Sequence, residues 1–377
     1  MQSCSHHCIS FYVGDDGFML PSVDKIACIH CKRCVAVCPY STGVEKKKTI
    51  QSYSVKAMDV DAQKESSSGG CFYGLARRTL EDGGVVFGAA MNEDFSCEHR
   101  AAKNVQELLP LLGSKYVQSR SDKVFPDILK LLKDNTLVLF VGTPCQIAGL
   151  KNYIGREYDQ LVTVDIACHG VPSFSELKKC IAWLERKHGG KITYLKFRDK
   201  NHSGWNHSLT YDICKDGKIK KHTIAPYKIP YYYFFLHSKN IRMSCYTCPY
   251  VGVERIGDIT LADFWAAERI YPESKIGSGI SVALCNTEKG IAFLKRSKEY
   301  LVAVHVDNEL ATQDNQPFNI HPEKYKKRDE LLREVLKNGY VNIGLYYTRK
   351  ERIIAALKAA VPEKTKRILL RAFGGKR

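Results

Sequence analysis

Cysteines near the N-terminus have a spacing that suits an iron–sulfur cluster. Cys28, Cys31, Cys34 and Cys38, the last followed directly by Pro39, spell C-x₂-C-x₂-C-x₃-C-P. In this pattern three thiolates bind one [4Fe–4S] cluster, and the fourth cysteine points to a second cluster. Structural zinc is the alternative, but zinc sites usually pair two C-x₂₋₄-C knuckles across a longer loop. The motif therefore predicts a ferredoxin-type module that carries electrons.

The three leading thiolates of this motif need a fourth ligand, and Cys4 is the best candidate. The stretch CSHHCISFYVGDDGFMLPSVDKIAC reads as the strand and turn that link two ferredoxin motifs, with Cys4 as the last cysteine of the first motif. Either the other cysteines of that motif lie upstream of Met1, or the protein has lost one cluster. Cys38 then has no complete cluster to serve, and Cys8 is interpreted as a small buried residue rather than a ligand.

A second set of cysteines follows apolar runs farther along the chain. Cys145 follows TLVLFVG in the turn GTPCQ, Cys168 follows LVTVDIA in the turn CHG, and Cys245 and Cys248 form C-Y-T-C-P. Cys145 and Cys168 should lie at the carboxyl edge of a parallel sheet, where ligands collect. Taken singly, each cysteine could be packing, zinc ligand or redox dithiol. Together the four could bind another [4Fe–4S] cluster.

A Ser/Gly turn has the features of a phosphate-binding site. Ser66–Gly70 directly precede a helical pattern that begins near Cys71, and free N–H groups at a helix N-terminus attract phosphate. Gly113–Tyr116, with the sequence GSKY, add a cation and hydroxyls. Because the pattern is not G-x-G-x-x-G, it does not predict a Rossmann domain. An ordinary helix cap is the alternative interpretation of the turn.

The elements that must position these residues indicate a mixed α/β protein. Between residues 60 and 300, helical patterns such as FPDILKLLKDN and SELKKCIAWLERKHG alternate with β-rich runs such as GVVFGAAM, ITYLKF and LTYDIC. This alternation predicts an α/β (α+β) domain with a partly parallel sheet. We expect a ferredoxin-type module at residues 1–50, the mixed domain at 60–300, and a basic helical region at 301–377.

Composition sets outer limits on location and partners. The chain has 377 residues and 15 cysteines, without a signal peptide or an 18-residue apolar run, which favours a cytoplasmic protein. Of the net charge of +17, residues 322–377 carry 16 − 6 = +10. Their pattern predicts amphipathic basic helices. These suit a solvated face, or contact with an anionic membrane or an acidic partner, better than nucleic acid, since no nucleic-acid motif accompanies the charge.

The residues together resemble a known family, the beta subunits of coenzyme F420 hydrogenases and dehydrogenases in the form with a leading ferredoxin module. The resemblance is carried by SSGGCFYGLARRTLEDGGVVFGAAM, GSKYVQS, VGTPCQIAGL, DIACHGVPS, FRDKNHSGW and CYTCPYVGVERIGDITLADFW. It implies an FAD-dependent iron–sulfur oxidoreductase that exchanges electrons with a deazaflavin or another organic substrate. Cys145, Cys168, Cys245 and Cys248 are then implied ligands of the cluster beside the flavin. The implied FAD contacts are Ser68, Gly69, Gly70, Lys115 and Tyr116, while Thr143 could hydrogen-bond the cluster or the flavin.

Some features lie outside this resemblance or leave its interpretation open. The leading ferredoxin motif lacks its first three cysteines, and about 80 residues follow the resembling region. His202, Trp205 and His207 could contact substrate, but a surface loop is favoured. Asp258 and Asp263 are not assigned a proton-transfer role. The alternative function is a non-catalytic iron–sulfur subunit that transfers electrons and docks a partner enzyme.

Overall fold

A computed structural model of the protein describes residues 2–201, 204–205, 207–272, 277, 279–341 and 343–347. His202 and the basic segment after residue 347 lie outside the described residues. The strands are β1 (Ile9–Val13), β2 (Met19–Val23), β3 (Gln51–Ala57), β4 (Val85–Met91), β5 (Cys97–Ala102), β6 (Ser119–Arg120), β7 (Val138–Gly142), β8 (Leu161–Ile166), β9 (Lys191–Phe197), β10 (Leu209–Lys215), β11 (Lys218–Ile224), β12 (Ile259–Asp263), β13 (Ser281–Cys285) and β14 (Leu301–Val306).

Helices of very different lengths connect these strands. They are α1 (Arg33–Ala36), α2 (Val60–Glu65), α3 (Cys71–Glu81), α4 (Val105–Leu108), α5 (Phe125–Lys133), α6 (Pro144–Ile154), α7 (Phe174–His188), α8 (Pro230–Leu236), α9 (Glu288–Arg296), α10 (Asn308–Thr312), α11 (Gln316–Asn319) and α12 (Arg328–Asn338). Within the described ranges, no helix combines the length and the apolar character needed to cross a bilayer.

A nine-stranded mixed sheet forms the centre of the molecule. Its strand order is β14-β3-β13-β12-β8-β7-β4-β5-β6. Four adjacent strands at its centre are parallel to one another, namely β12, β8, β7 and β4. Antiparallel strands flank this parallel centre on both sides. Parallel strands buried on both faces are built from continuous apolar runs, as in VLFVG of β7. The sheet confirms the predicted mixed α/β fold.

Successive residues of β7 show how the sheet holds helices on both faces. Val138 and Phe140 pack with Ile128 of α5 and Ile147 of α6, whereas Leu139 packs in a different core cluster with Leu75 of α3. This alternation follows from the two-residue period of a strand. Because both faces are covered, the ligand-accessible part of the sheet is its edge, where the strands end.

Two smaller sheets lie beside the central one. β1 and β2 pair as an antiparallel hairpin, and β9, β10 and β11 form an antiparallel sheet. An aromatic core with Tyr231, Tyr232, Phe234 and Phe235 of α8 joins the three-stranded sheet to α7 and α12. This core fixes the segment that leads from α8 towards Cys245.

The region expected to be basic and helical begins with a strand. LVAVHV of β14 pairs antiparallel with β3 at the edge of the central sheet. Its alternation of buried and exposed positions is incomplete, with Leu301 and Val306 buried and the residues between them exposed. Helices α10, α11 and α12 follow, so the described part of this region combines one strand with helices.

Candidate functional site

The cysteines of the N-terminal module surround one cavity. Cys4, Cys8, Cys28, Cys31 and Cys34 all line it, together with His6, Ile9, Val23, Ile29, Lys32 and Arg33. The cavity has about 350 Å³ of empty space, part of it open to solvent, and Cys31 is exposed at its surface. The structure thus gathers the three leading thiols of the motif with Cys4, and it adds Cys8 to them.

Left-handed backbone conformations shape the loop that carries three of these thiols. His30 and Lys32, which alternate with the cysteines, both have φ near +57°, and Lys32 is the N-cap of α1. Non-glycine residues rarely adopt this conformation, and such strain concentrates at functional sites. The tight turns place successive cysteines of C-x₂-C-x₂-C on the same side of the chain.

Cys8, which the sequence favours as a packing residue, lies directly beside Cys4. The two Sγ atoms are 3.3 Å apart. Hydrogen bonding with Cys8 lowers the pKa of Cys4, whereas the same bond, burial and nearby Cys28 raise the pKa of Cys8 to about 12. Either sulfur can be the donor in this contact. The signal in the sequence was the short spacing of C-x₃-C.

Cys38 is not among the residues that line this cavity. It follows α1, and its backbone N–H donates to the carbonyl of Val35 over 3.1 Å. Burial opposes ionisation of its thiol, but the N–H groups of Tyr40 and Ser41 and the Ser41 side chain lower its pKa overall. The Cys38–Tyr40 segment lies instead against the loop that carries Cys248, because the Tyr250 hydroxyl donates to the Pro39 carbonyl over 2.6 Å.

The structure brings the four cysteines of the α/β domain, which we call the inner thiol set, into electrostatic range of one another. Burial and the neighbouring Cys245, Cys145 and Cys248 thiols raise the pKa of Cys168. Burial, Cys145 and Cys248 likewise raise the pKa of Cys245 to about 12. Buried thiols that disfavour each other's ionisation need a cationic centre to become thiolates.

Two adjacent parallel strands position half of the inner thiol set. β7 and β8 pair in register, Gly142 opposite Asp165, so their carboxyl ends lie side by side. Cys145 stands in the first turn of α6, and Cys168 follows β8. Gln146 accepts from the Thr143 N–H over 3.0 Å, and Thr143 Oγ1 lies 3.1 Å from Cys145 Sγ. Thr143 is therefore placed to hydrogen-bond the sulfur of Cys145.

The other half comes from the Cys245–Cys248 loop, which a buried ion pair holds against β8. Arg255 Nη2 lies 2.9 Å from Asp165 Oδ1, and both side chains are almost completely buried. Arg255 also donates to the carbonyls of Tyr250 and Gly252 behind Cys248, and to that of Ile166 before Cys168. One guanidinium thus ties both thiol-bearing segments together.

The donor chemistry of the inner thiol set suits an iron–sulfur cluster. It contains four thiols and no carboxylate or imidazole, which favours soft metals. Within the described ranges no three or more Cys, His, Asp or Glu side chains surround a single ion position. A [4Fe–4S] cluster does not require that arrangement, since each thiolate binds a different iron.

The Ser/Gly turn and the GSKY segment, predicted to contact FAD, lie next to each other. The Ser67 and Ser114 hydroxyls are 2.7 Å apart, and Ser67 Oγ also accepts from the Ser114 N–H. Gly70 has φ +87° as the N-cap of α3. Ser66 Oγ is buried without a hydrogen-bond partner among the described residues. An orphaned hydroxyl beside a helix N-terminus fits a phosphate oxygen.

Several of the proposed FAD contacts also have structural roles. Ser68 Oγ donates to the Ile280 carbonyl over 2.8 Å. A Cβ on Gly69 would stand 2.3 Å from the Val55 carbonyl oxygen, so this glycine permits a close backbone approach. Lys115 Nζ donates to the Leu112 carbonyl over 2.7 Å, and burial lowers its pKa to about 8. The Tyr116 ring packs 4.6 Å from the ring of Phe235.

The FRDKNHSGW segment, part of which the sequence favours as a surface loop, lies beside the Ser/Gly turn. It contributes charged and aromatic side chains there. Lys200 Nζ donates to the Ser68 carbonyl over 2.7 Å, and burial followed by nearby Arg198 lowers its pKa to about 7. Asp263 pairs with Arg198 and accepts from Trp205 Nε1 over 3.0 Å. Trp205 stacks on Trp265 with centroids 4.8 Å apart. The cluster of Arg, Lys and Trp in FRDKNHSGW was the available signal.

Asp258 has a structural role. Its carboxylate accepts from Thr163, through both the backbone N–H and the hydroxyl, and from the Thr287 hydroxyl. His207 lies with its ring centroid 5.8 Å from that of Trp265. The contacts described for Asp258 and His207 do not involve the inner thiol set.

Comparison with known proteins gives a family for the central part of the chain. Residues 135–309, which include the inner thiol set, match the family described as the C terminus of the coenzyme F420 hydrogenase/dehydrogenase beta subunit. No curated protein matches the chain. A solved chain of the F420-reducing [NiFe] hydrogenase complex from Methanosarcina barkeri, from a xenon-derivatization study, has 14% identity and a TM-score of 0.47. The alignment covers 78% of this chain and 89% of that one. Residues 135–309 are therefore similar to the C terminus of the coenzyme F420 hydrogenase/dehydrogenase beta subunit, which agrees with the resemblance that the sequence motifs indicate.

Proposed function

We propose that the protein is an iron–sulfur flavoprotein oxidoreductase. It passes electrons between [4Fe–4S] clusters and FAD, and from FAD to or from a deazaflavin-like or other organic substrate. The observation that carries the proposal is the presence of two separate thiol sets. One surrounds the N-terminal cavity, and the other is buried at the carboxyl ends of β7 and β8.

Each thiol set provides four ligands for one cluster. Cys28, Cys31 and Cys34 with Cys4 would hold the first, and the inner thiol set would hold the second. Such clusters supply one-electron transfer, which a flavin connects to the two-electron chemistry of an organic substrate. An exposed cluster can exchange electrons with a partner, and a buried cluster can pass them to a flavin. This difference would explain why one chain carries the exposed thiol of Cys31 and a separate buried set.

The chain's own residues would tune and orient these groups. The Cys8 sulfur lies 3.3 Å from that of Cys4, within hydrogen-bond distance, and Thr143 Oγ1 lies close enough to Cys145 to donate to its sulfur. Hydrogen bonds to ligand sulfurs change cluster potentials. Lys200, with its pKa near 7, can hold or release a proton beside the Ser/Gly turn. Trp205 and Trp265 offer a flat apolar surface to a planar ring.

A protein partner is also part of the proposal. The exposed Cys31 lies beside exposed Ile26 and Ile29, so the N-terminal module presents apolar surface next to its cavity. Apolar surface around a partly open redox site suits a transient electron-transfer partner. The organic substrate would bind at the other end of the path, near Ser68 and Lys200.

Quantitation of iron, sulfide and flavin in anaerobically purified protein tests the proposal. We expect FAD on denaturation, and we expect Cys31→Ser and Cys168→Ser each to lose about four irons, because each serine disrupts a different [4Fe–4S] site. Cys214→Ser is the matched control, since Cys214 lies on β10 outside both sets, and it should retain all the iron.

The outcomes separate the two candidate functions. Protein that contains clusters but releases no flavin would be an electron-transfer subunit rather than the proposed flavoprotein. Protein in which Cys31→Ser and Cys168→Ser leave the iron content unchanged would refute both assignments of the thiols.

A further inference from the structure

Tyr250 joins the two thiol-bearing parts of the molecule. Its side chain is 4% exposed, and its hydroxyl donates to the Pro39 carbonyl over 2.6 Å, although 211 residues separate the two in sequence. Pro39 follows Cys38 directly, and Tyr250 follows Cys248 by two residues. A route of covalent bonds with one hydrogen bond in it therefore connects the thiols of Cys38 and Cys248.

Packing around this hydrogen bond places it between the thiol sets. Pro39 Cγ lies 3.9 Å from where a Cβ on Gly149 of α6 would stand, and Asn152 Nδ2 donates to the Thr42 carbonyl over 3.2 Å. The Pro39–Thr42 segment thus rests on the helix that begins beside Cys145. Tyr250 also belongs to the core cluster against which the partly buried Cys145 and Cys248 pack.

The N-terminal cavity is close to this contact along the chain. Cys34, which lines the cavity, lies on α1, and Cys38 follows it by four residues. Cys38 lies just beyond the end of α1, and its backbone N–H donates to the Val35 carbonyl of that helix over 3.1 Å. The path from the cavity to the inner thiol set therefore runs over one helical turn, the Pro39 carbonyl, the Tyr250 hydroxyl and the chain back to Cys248.

We propose that Tyr250 is a positioning residue that couples the ferredoxin-type module electronically to the inner thiol set through its hydrogen bond to Pro39. This inference rests on the proposed function, because it requires a cluster at each set. With a cluster held at each set, one electron would pass from the N-terminal centre, which is oxidised, to the inner centre, which is reduced, without a proton transfer or a change in any covalent bond. Tyr250 remains a neutral phenol throughout.

The test compares Tyr250→Phe with the wild type, both purified anaerobically with their clusters. A one-electron reductant is mixed rapidly with each, and freeze-quenched samples are followed by electron paramagnetic resonance. We expect reduction of the inner cluster to slow by about tenfold, the scale on which outer-shell hydrogen-bond partners of metal sites act. Cluster content should not change.

Two further variants separate a specific route from general packing. Tyr325→Phe removes another hydrogen bond from a tyrosine hydroxyl to a carbonyl, that of Tyr346 over 3.3 Å, and should leave the rate unchanged. Asn152→Ala releases the Thr42 carbonyl of the same segment but keeps the Tyr250–Pro39 bond. If Asn152→Ala slowed reduction as much as Tyr250→Phe, or if Tyr250→Phe had no effect, the proposal would be wrong.

A measurement on metal-free protein keeps this inference apart from the proposed function. We expect Tyr250→Phe to increase amide hydrogen exchange in residues 38–42 relative to the wild type, because the segment loses its anchor. Absence of iron from the wild type would refute the proposed function and the electron route together. Unchanged exchange in residues 38–42 would refute the positioning role alone.

Discussion

At the scale of single residues, Arg255 connects the two segments that carry the inner thiol set. Its guanidinium is buried, pairs with the buried carboxylate of Asp165, and donates to the carbonyls of Tyr250, Gly252 and Ile166. Asp165 also accepts from the Gly257 N–H over 2.9 Å. A buried pair satisfied in this way is not in itself strongly stabilising, but removal of one partner leaves the other charge buried and uncompensated.

We therefore expect Arg255→Met to lower the free energy of unfolding by about 3–5 kcal/mol. Urea unfolding measured on the metal-free protein would show the loss as a lower midpoint. Lys64→Met is the control, because Lys64 and Asp61 form an exposed pair, and such pairs contribute at most about 1 kcal/mol. A loss in Arg255→Met no greater than in Lys64→Met would contradict the role assigned to the buried pair.

Sequence patterns predict which cysteines are candidate ligands better than they predict the contacts that hold those cysteines in place. Local spacing is enough to recognise C-x₂-C-x₂-C as a candidate ligand set. Cys145 and Cys168 can be recognised because each follows an apolar run that predicts a strand. The pairing of Arg255 with Asp165 spans 90 residues, and the bond from Lys200 to Ser68 spans 132. Nothing local to either residue encodes such contacts, so they emerge only when the sheet has formed. The sequence favours packing for Cys8 because no known motif includes it.

At the scale of elements, helix α9 is held by a contact that only glycine allows. A Cβ on Gly290 would stand 2.3 Å from the Asp258 carbonyl oxygen. Thr287, the N-cap of α9, accepts from the Gly290 N–H and donates to the Asp258 carboxylate. The start of α9 therefore touches the backbone that leads from the Cys245–Cys248 loop into β12.

Gly290→Ala should destabilise the protein by about 1–3 kcal/mol, the usual cost of overpacking, because the obstructing atoms are backbone and cannot rotate away. Thermal or urea unfolding would measure this. Gly43→Ala is the matched substitution, since no atom lies within 4 Å of its new Cβ. It should change stability by less than about 0.5 kcal/mol. Equal effects of the two substitutions would argue against the close approach.

The strands of the parallel centre are predictable from their apolar runs, whereas the edge strands are not. β4, β7 and β8 coincide with GVVFGAAM, TLVLFVG and LVTVDIAC to within a few residues. β3 lacks such a run, since its residues largely alternate in burial near the edge of the sheet, and LVAVHV of β14 is apolar although its four central residues are exposed. Their pairing across more than 240 residues depends on tertiary structure.

For the whole molecule, Arg328 fastens α12 to the hairpin formed by β1 and β2. Its side chain is almost fully buried, donates to the Ile241 carbonyl over 2.7 Å and pairs with Asp16 at 3.0 Å. It also lies over the ring of buried Phe18. The two ends of the described chain thus meet beside the segment that leads to Cys245.

Arg328→Met should loosen the hairpin formed by β1 and β2. Loss of a charge-assisted hydrogen bond costs about 1.5–3 kcal/mol, which corresponds to roughly tenfold or more in the local opening equilibrium. We expect amide exchange in residues 9–23 to rise accordingly, as hydrogen-exchange mass spectrometry would show. Arg333→Met on the exposed face of the same helix should have no such effect. Similar exchange in both variants would rule out the fastening role.

The side-by-side ends of β7 and β8 also bear on how the protein would mature. Cys145 and Cys168 depend on strand register, so their separation is set as soon as the chain has folded, before iron is delivered. Cys245 and Cys248 belong to a loop that is held by Arg255, by the Tyr250 hydroxyl and by the backbone bond from Arg242 to Val171. Contacts within the folded chain therefore hold all four thiols, so we expect a cluster to enter a site that already exists rather than to organise it.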